Sequence, residues 1–138
     1  MVKYFFSEEY MNDKKLTNEA MNIKPHRLSK QEIEDNFTDL HPPLSAIEAL
    51  IEADRCYFCY DAPCTKACPS DIDVPGFIQS IQSDNLTGAA DKILSENIFG
   101  GMCARDCPTE ELCQQVCVRN DHEKKPVEIG LLQRYATD

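Results

Sequence analysis

The sequence predicts an all-α fold with cysteine ligands carried on loops and helix ends. Three observations carry this. Apolar residues recur three and four apart behind recognisable helix caps. No period-two apolar run bounded by turn residues is present. Eight cysteines fall into two compact groups, 56–68 and 103–117. With 138 residues, 42% hydrophobic content and no Trp, one domain is expected. Part of the chain should then be tail, or part of the core inorganic.

Residues 1–27 show no sustained period and read as an N-terminal arm, with Tyr4, Phe5 and Phe6 as its apolar members. The helical domain is expected over 28–138. Ser29-Lys30-Gln31-Glu32 is a capping box, with Leu28 and Ile33 set as a hydrophobic staple. A helix over about 29–39 follows, with Ile33, Phe37 and Leu40 on one side, and His41-Pro42-Pro43 ends it. His41 reads as a surface loop residue.

Pro42 or Pro43 is expected to open the next helix, with Leu44, Ile47, Leu50 and Ile51 as its apolar stripe and Ala46, Ala49 and Ala53 around it. That helix delivers Cys56 from a rigid scaffold. Asp73 caps a further helix with Pro75 in its first turn and Phe77, Ile78 and Ile81 buried. Asn85 and Thr87 break and restart the chain. Ala89, Ala90, Ile93 and Leu94 make another helix to about Asn97. Gly100-Gly101 allows close backbone approach beyond it. Thr109 is expected to cap a helix carrying Cys113 and Cys117 one turn apart on one face. Residues 120–125 read as a polar loop with a solvated His122. Pro126 opens a last helix with Ile129, Leu132 and Ala136 buried, which reaches Asp138 without a C-cap. The abrupt stop suggests a fragment or the head of a longer protein.

Net charge is −10, from 24 acids against 14 bases, so neither nucleic acid nor an anionic membrane is an expected partner. No secretory signal and no membrane-length apolar run is visible. The expected compartment is the cytoplasm, where thiols stay reduced and eight cysteines suggest metal ligands.

The first group, Cys56, Cys59, Cys64 and Cys68, has the spacing C-x2-C-x4-C-x3-C and ends in Pro69. It is similar to the ferredoxin run in which the cysteine before proline ligates the other cluster. The second group is Cys103, Cys107, Cys113 and Cys117. Thiolates select zinc, copper(I) or iron–sulfur clusters. Zinc usually takes paired C-x2-C knuckles, and only Cys56–Cys59 is such a pair. The spacing therefore favours two [4Fe–4S] clusters, with a zinc-binding interaction module as the alternative. No dinucleotide fingerprint, P-loop or nucleophile elbow is present. The chain by itself reads as an electron relay without catalytic residues.

Three runs carry a resemblance: Arg55-Cys56-x2-Cys59-x-Asp61-Ala62-Pro63-Cys64-x3-Cys68-Pro69, then Cys103-x3-Cys107-Pro108-Thr109-x3-Cys113-x3-Cys117, then Ile129-Gly130-x2-Gln133-x-Tyr135-Ala136-Thr137. Over about 44–138 the chain resembles the N-terminal iron–sulfur domain of the dihydropyrimidine dehydrogenases, whose bacterial form has a separate NAD-dependent subunit. The head of the glutamate synthase small subunit is related and supplies an alternative, though Asp61-Ala62-Pro63 and Gln133 favour the dehydrogenase.

The resemblance implies an α-helical ferredoxin-type domain with two [4Fe–4S] clusters. One is implied on Cys56, Cys59, Cys64 and Cys117. The other is implied on Cys68, Cys107, Cys113 and Gln133, with Cys103 a bystander. Without the resemblance, Cys103 would be the natural eighth ligand. It also implies a following domain that binds FAD and NAD(P), and a flavin-containing partner domain or subunit that reduces pyrimidines.

Overall fold

The computed structural model describes residues 27–39 and 41–138. The expected arm, with Tyr4, Phe5 and Phe6, lies outside the described residues. The chain divides into two units, Met1–Leu40 and His41–Asp138. Among the described residues every regular element is helical.

In the first unit, α1 (Lys30–Asn36) is held by the expected capping box. Ser29 N donates to Glu32 Oε2 at 2.8 Å, and Glu32 N donates back to Ser29 Oγ at 3.2 Å. No residue of α1 is buried.

In the second unit, α2 (Ala46–Asp54) starts at Ser45 rather than at Pro42 or Pro43. A second capping box decides this: Ser45 N donates to Glu48 Oε2 at 2.8 Å, and Glu48 N donates to Ser45 Oγ at 3.4 Å. Its buried face is Ala49 and Ala53, both 0% exposed, while Ile47, Leu50 and Ile51 of the expected stripe face outward. Small residues let α2 approach α4 and α8 closely.

A short helix not expected from the sequence, α3 (Pro63–Ala67), follows the first cysteines. Next come α4 (Val74–Gln82), capped by Asp73, and α5 (Leu86–Glu96), capped by Asn85. Asp73 and Asn85 each accept from a glycine N–H three residues on, at 3.0 and 2.9 Å. The glycine pair 100–101 lies inside a helix, α6 (Gly100–Asp106), not in a loop.

The expected helix over Cys113 and Cys117 is absent. Thr109–Glu111 forms one 3-10 turn without a side-chain cap, and Leu112 then leaves helical backbone at ψ −104°. The supposed polar loop is instead α7 (Val118–Glu123), ended by Lys124 in the left-handed conformation. Finally α8 (Ile129–Thr137) packs on α6, α5, α2 and α4.

The core joins Phe77, Ile78 and Ile81 of α4 to Ile93 of α5 and Leu132 of α8, all essentially inaccessible. Each such burial contributes about 1.5–3 kcal/mol. Arg134 is also buried, and its charge is matched: Nη1 donates to His41 O at 2.8 Å and Nε to Asp138 Oδ2 at 3.1 Å. Among the described residues no helix is long and apolar enough to cross a membrane.

Candidate metal centre

The first cysteine group sits on a tightly wound loop. Cys56 follows α2 directly, its N–H bonded to Ala53 O at 3.0 Å. Phe58 and Ala62 then adopt left-handed backbone, at φ 49° and 38°. For a residue as bulky as Phe this costs of order 1–3 kcal/mol. The strain lies between Cys56, Cys59 and Cys64, where the chain must turn repeatedly to aim thiols inward. Cys64 rides in the first turn of α3, and Cys68 caps its end. Thr65 Oγ1 accepts from Val74 N at 3.1 Å and ties α3 to the start of α4.

A partly open pocket lies against this loop. Cys56, Cys59 and Cys64 line it, and so does Cys117 from the second group; Cys68 does not. The remaining wall is largely apolar, with Val74, Ile78 and Val127 among its members.

A strap brings Cys117 to Cys56. Arg119, two residues after Cys117, donates from Nε to the carbonyl of Arg55, the residue before Cys56. The Arg55 side chain reaches the other way, from Nη1 to Pro126 O at 3.0 Å and from Nη2 to Lys125 O at 2.6 Å. Glu52 accepts from Arg55 and from Glu128 N, the latter at 2.9 Å. Arg119 also lies over the Tyr57 ring, 4.1 Å from its centroid. Arg55 belongs to the cysteine motif, whereas the parts played by Arg119, Tyr57 and Glu123 emerge only in the folded chain. Arg119 and Glu123 are four apart, and that helical pair spacing was the available signal.

The other thiols gather around α6. Cys103 lies in α6 and Cys107 caps its end, with Cys107 N donating to Cys103 O at 3.0 Å. Burial first, then repulsion from Cys103 and Cys68, raises the Cys107 pKa. Burial first, then repulsion from Cys107 and Cys68, pushes Cys113 up to about 12. The Cys68, Cys107 and Cys113 thiols thus lie within electrostatic reach of one another. Cys103 is close to Cys107 too, and Asn97 Nδ2 donates to both Cys103 Sγ and Ser70 Oγ at 3.2 Å.

In the lined pocket burial raises Cys56 and pushes Cys64 up to about 11. Such thiols are neutral at pH 7 without metal, so binding one must release protons.

Gln133 is 7% exposed rather than extended into solvent. Its Nε2 donates to Gly100 O at 2.7 Å, at the start of the helix that carries Cys103 and ends at Cys107. One turn earlier, a Cβ on Gly130 would stand 3.3 Å from Thr109 Oγ1, beside Cys107-Pro108. This face of α8 therefore fronts the second thiol cluster. His41 and His122 are exposed and stand apart from both groups. All eight cysteines are free thiols. Among the described residues, no group of three or more His, Cys, Asp or Glu side chains is already drawn together around a metal-ion position.

Residues 33–138 match the protein family described as dihydropyrimidine dehydrogenase domain II, 4Fe-4S cluster. The chain belongs to this family. It is an iron–sulfur electron-transfer domain of the dihydropyrimidine dehydrogenase type, as the resemblance implied. The NAD-dependent dihydropyrimidine dehydrogenase subunit PreT of Escherichia coli (strain K12) is 46% identical over 106 residues, which are 76% of this chain and 26% of the relative. PreT of Salmonella typhimurium is equally similar, over 25% of its length. The putative oxidoreductase UacF of Escherichia coli (strain K12) is 32% identical over 113 residues, 81% of this chain and 18% of the relative. The chain spans about a quarter or less of the length of these relatives.

Proposed function

We propose that the domain holds two [4Fe–4S] clusters through ligands exchanged between its two cysteine groups. Cys56, Cys59, Cys64 and Cys117 hold one; Cys68, Cys107, Cys113 and Gln133 hold the other. The observation that carries this is the pocket lined by three thiols of the first group and one of the second, with Cys68 outside it. Four thiols in a largely apolar wall suit a soft, multinuclear centre. Only Cys56–Cys59 forms a C-x2-C pair of the kind zinc usually takes on both flanks, and this spacing weighs against zinc.

Gln133 uses its amide nitrogen on Gly100, which leaves the Oε1 end as donor to iron. Cys103 sulfur accepts from Asn97 instead. Each cluster, when bound, takes up and returns one electron. The protein's part is to hold the thiolates fixed, keep water away with the α4 and α8 side chains, and set the charge around each site. In the longer protein the domain relays electrons between an FAD reduced by NAD(P)H in a following domain and a partner flavin site that reduces a pyrimidine ring. The name of the PreT relative, an NAD-dependent dihydropyrimidine dehydrogenase subunit, supports the NAD and pyrimidine ends of that relay. A reducing, cytoplasmic compartment suits cysteines that serve as metal ligands.

Anaerobic purification with iron, sulfide and zinc analysis tests this. About eight irons per chain, from two four-iron clusters, with broad brown absorbance are expected. A colourless protein carrying stoichiometric zinc after anaerobic handling would overturn the proposal.

A further inference from the structure

Among the described residues that line the pocket, Arg119 carries the one permanent positive charge. Its side chain is only 16% exposed. It reaches three things at once: the backbone carbonyl of Arg55, the ring of Tyr57 and the carboxylate of Glu123. The first two flank Cys56, and Arg119 itself stands two residues beyond Cys117. Glu123 lies on the outer side, 42% exposed, where it also meets Arg55 Nη2 at 3.6 Å. The guanidinium therefore stands between a solvated carboxylate and the thiol-lined pocket.

We propose that Arg119 is a positioning residue that sets the reduction potential of the metal centre in this pocket, while Glu123 opposes it. The inference rests on the ligand assignment proposed above. One-electron reduction, by a reduced flavin or by dithionite in the assay, adds one negative charge to the pocket and no proton. A fixed cation nearby in a low-dielectric wall stabilises that charge, and net charge near a cluster is one determinant of its potential. The partner carboxylate works in the opposite sense. Arg suits the position because it stays charged, stacks on the aromatic face and still has N–H groups for the Arg55 carbonyl.

The test is an anaerobic redox titration of the iron-loaded full chain by electron paramagnetic resonance, with iron counted for every variant. R119Q is expected to lower the midpoint of one cluster signal, with an about tenfold smaller equilibrium constant for reduction, or ~59 mV for one electron. E123Q should move the same signal upward. R119K, which keeps the charge, should recover most of the R119Q shift. The second signal should stay in place in all three.

A purely mechanical role would move R119Q and E123Q in the same direction, or change iron content without a shift, and either result overturns the proposal. Unmoved potentials in iron-replete variants overturn it too. If R119Q fails to load iron, the E123Q and R119K arms still decide: absence of an upward E123Q shift sinks the idea. C117S identifies the signal that belongs to the pocket. A wild type with zinc in place of iron overturns the ligand assignment. Full iron with the shift confined to the signal that survives C117S overturns the Arg119 inference alone.

Discussion

Gly100→Ala is a one-methyl change whose cost can be worked from neighbours. A Cβ at residue 100 would stand 2.3 Å from Ile93 Cγ2 and 3.8 Å from Gln133 Nε2. Ile93 is 0% exposed, and its β-branch leaves little freedom to rotate the methyl away. Replacing Gly by Ala in a helix gains at most about 1 kcal/mol, and less at the first helical position. Overpacking a close-packed core costs about 1–3 kcal/mol, so the clash should win.

For a unit of this size each kcal/mol lowers Tm by about 4–8 °C. Anaerobic thermal unfolding of the iron-loaded chain should therefore show a fall of roughly 5–15 °C. Ile93→Ala removes the offending methyl, at a cost of its own of about 2–5 kcal/mol. In that background Gly100→Ala should cost little or nothing, a non-additivity of the kind contacting residues show. Because the Gly100 carbonyl holds Gln133, the single variant should also broaden the signal of the cluster assigned to Gln133. An unchanged or higher Tm, or an equal cost in both backgrounds, would refute the close contact of α5, α6 and α8.

Two other outcomes follow from the contacts around α2. Ser45→Ala should cost about 1 kcal/mol by removing the cap. Hydrogen bonds from Ser45 hold the Glu48 pKa below its usual 4.5. A carboxyl with a folded pKa below its unfolded one adds stability above about pH 4.5 that is lost as pH falls through the folded value. The Tm gap between wild type and Ser45→Ala should therefore narrow on acidification, followed while iron is retained. A gap that widens would contradict the capping box. Arg55→Lys cannot fork between Lys125 O and Pro126 O. It should cost about 1–3 kcal/mol through unsatisfied carbonyls and disturb the signal of the cluster assigned to Cys56. A variant as stable as wild type removes the strap from that role.

How far the sequence could be read depended on what each signal encodes. Caps at Ser29 and Asp73 were legible because a short polar side chain bonds its own backbone locally. The α4 face was legible because Phe77, Ile78 and Ile81 are large and meet a continuous core. The α2 face was not: hydrophobicity pointed to Ile47, Leu50 and Ile51, but close helix approach selected Ala49 and Ala53. Over 109–117 the chain leaves the helix at Leu112, and Gln114 N bonds back to Thr109 O at 2.8 Å. Thr109 meanwhile meets Gly130 instead of capping. Those are long-range demands that spacing does not carry. Arg119 was not legible because two of its partners, Arg55 O and Tyr57, are about sixty residues away.

The central claim is the exchange of ligands between the two cysteine groups. Iron content and cluster signals of Cys68→Ser and Cys117→Ser, measured side by side with Cys56→Ser under anaerobic conditions, test it most directly. The exchange predicts that Cys117→Ser and Cys56→Ser weaken the same signal, while Cys68→Ser weakens the other one. Loss of the Cys56 signal in Cys68→Ser, with the second signal intact, would contradict it.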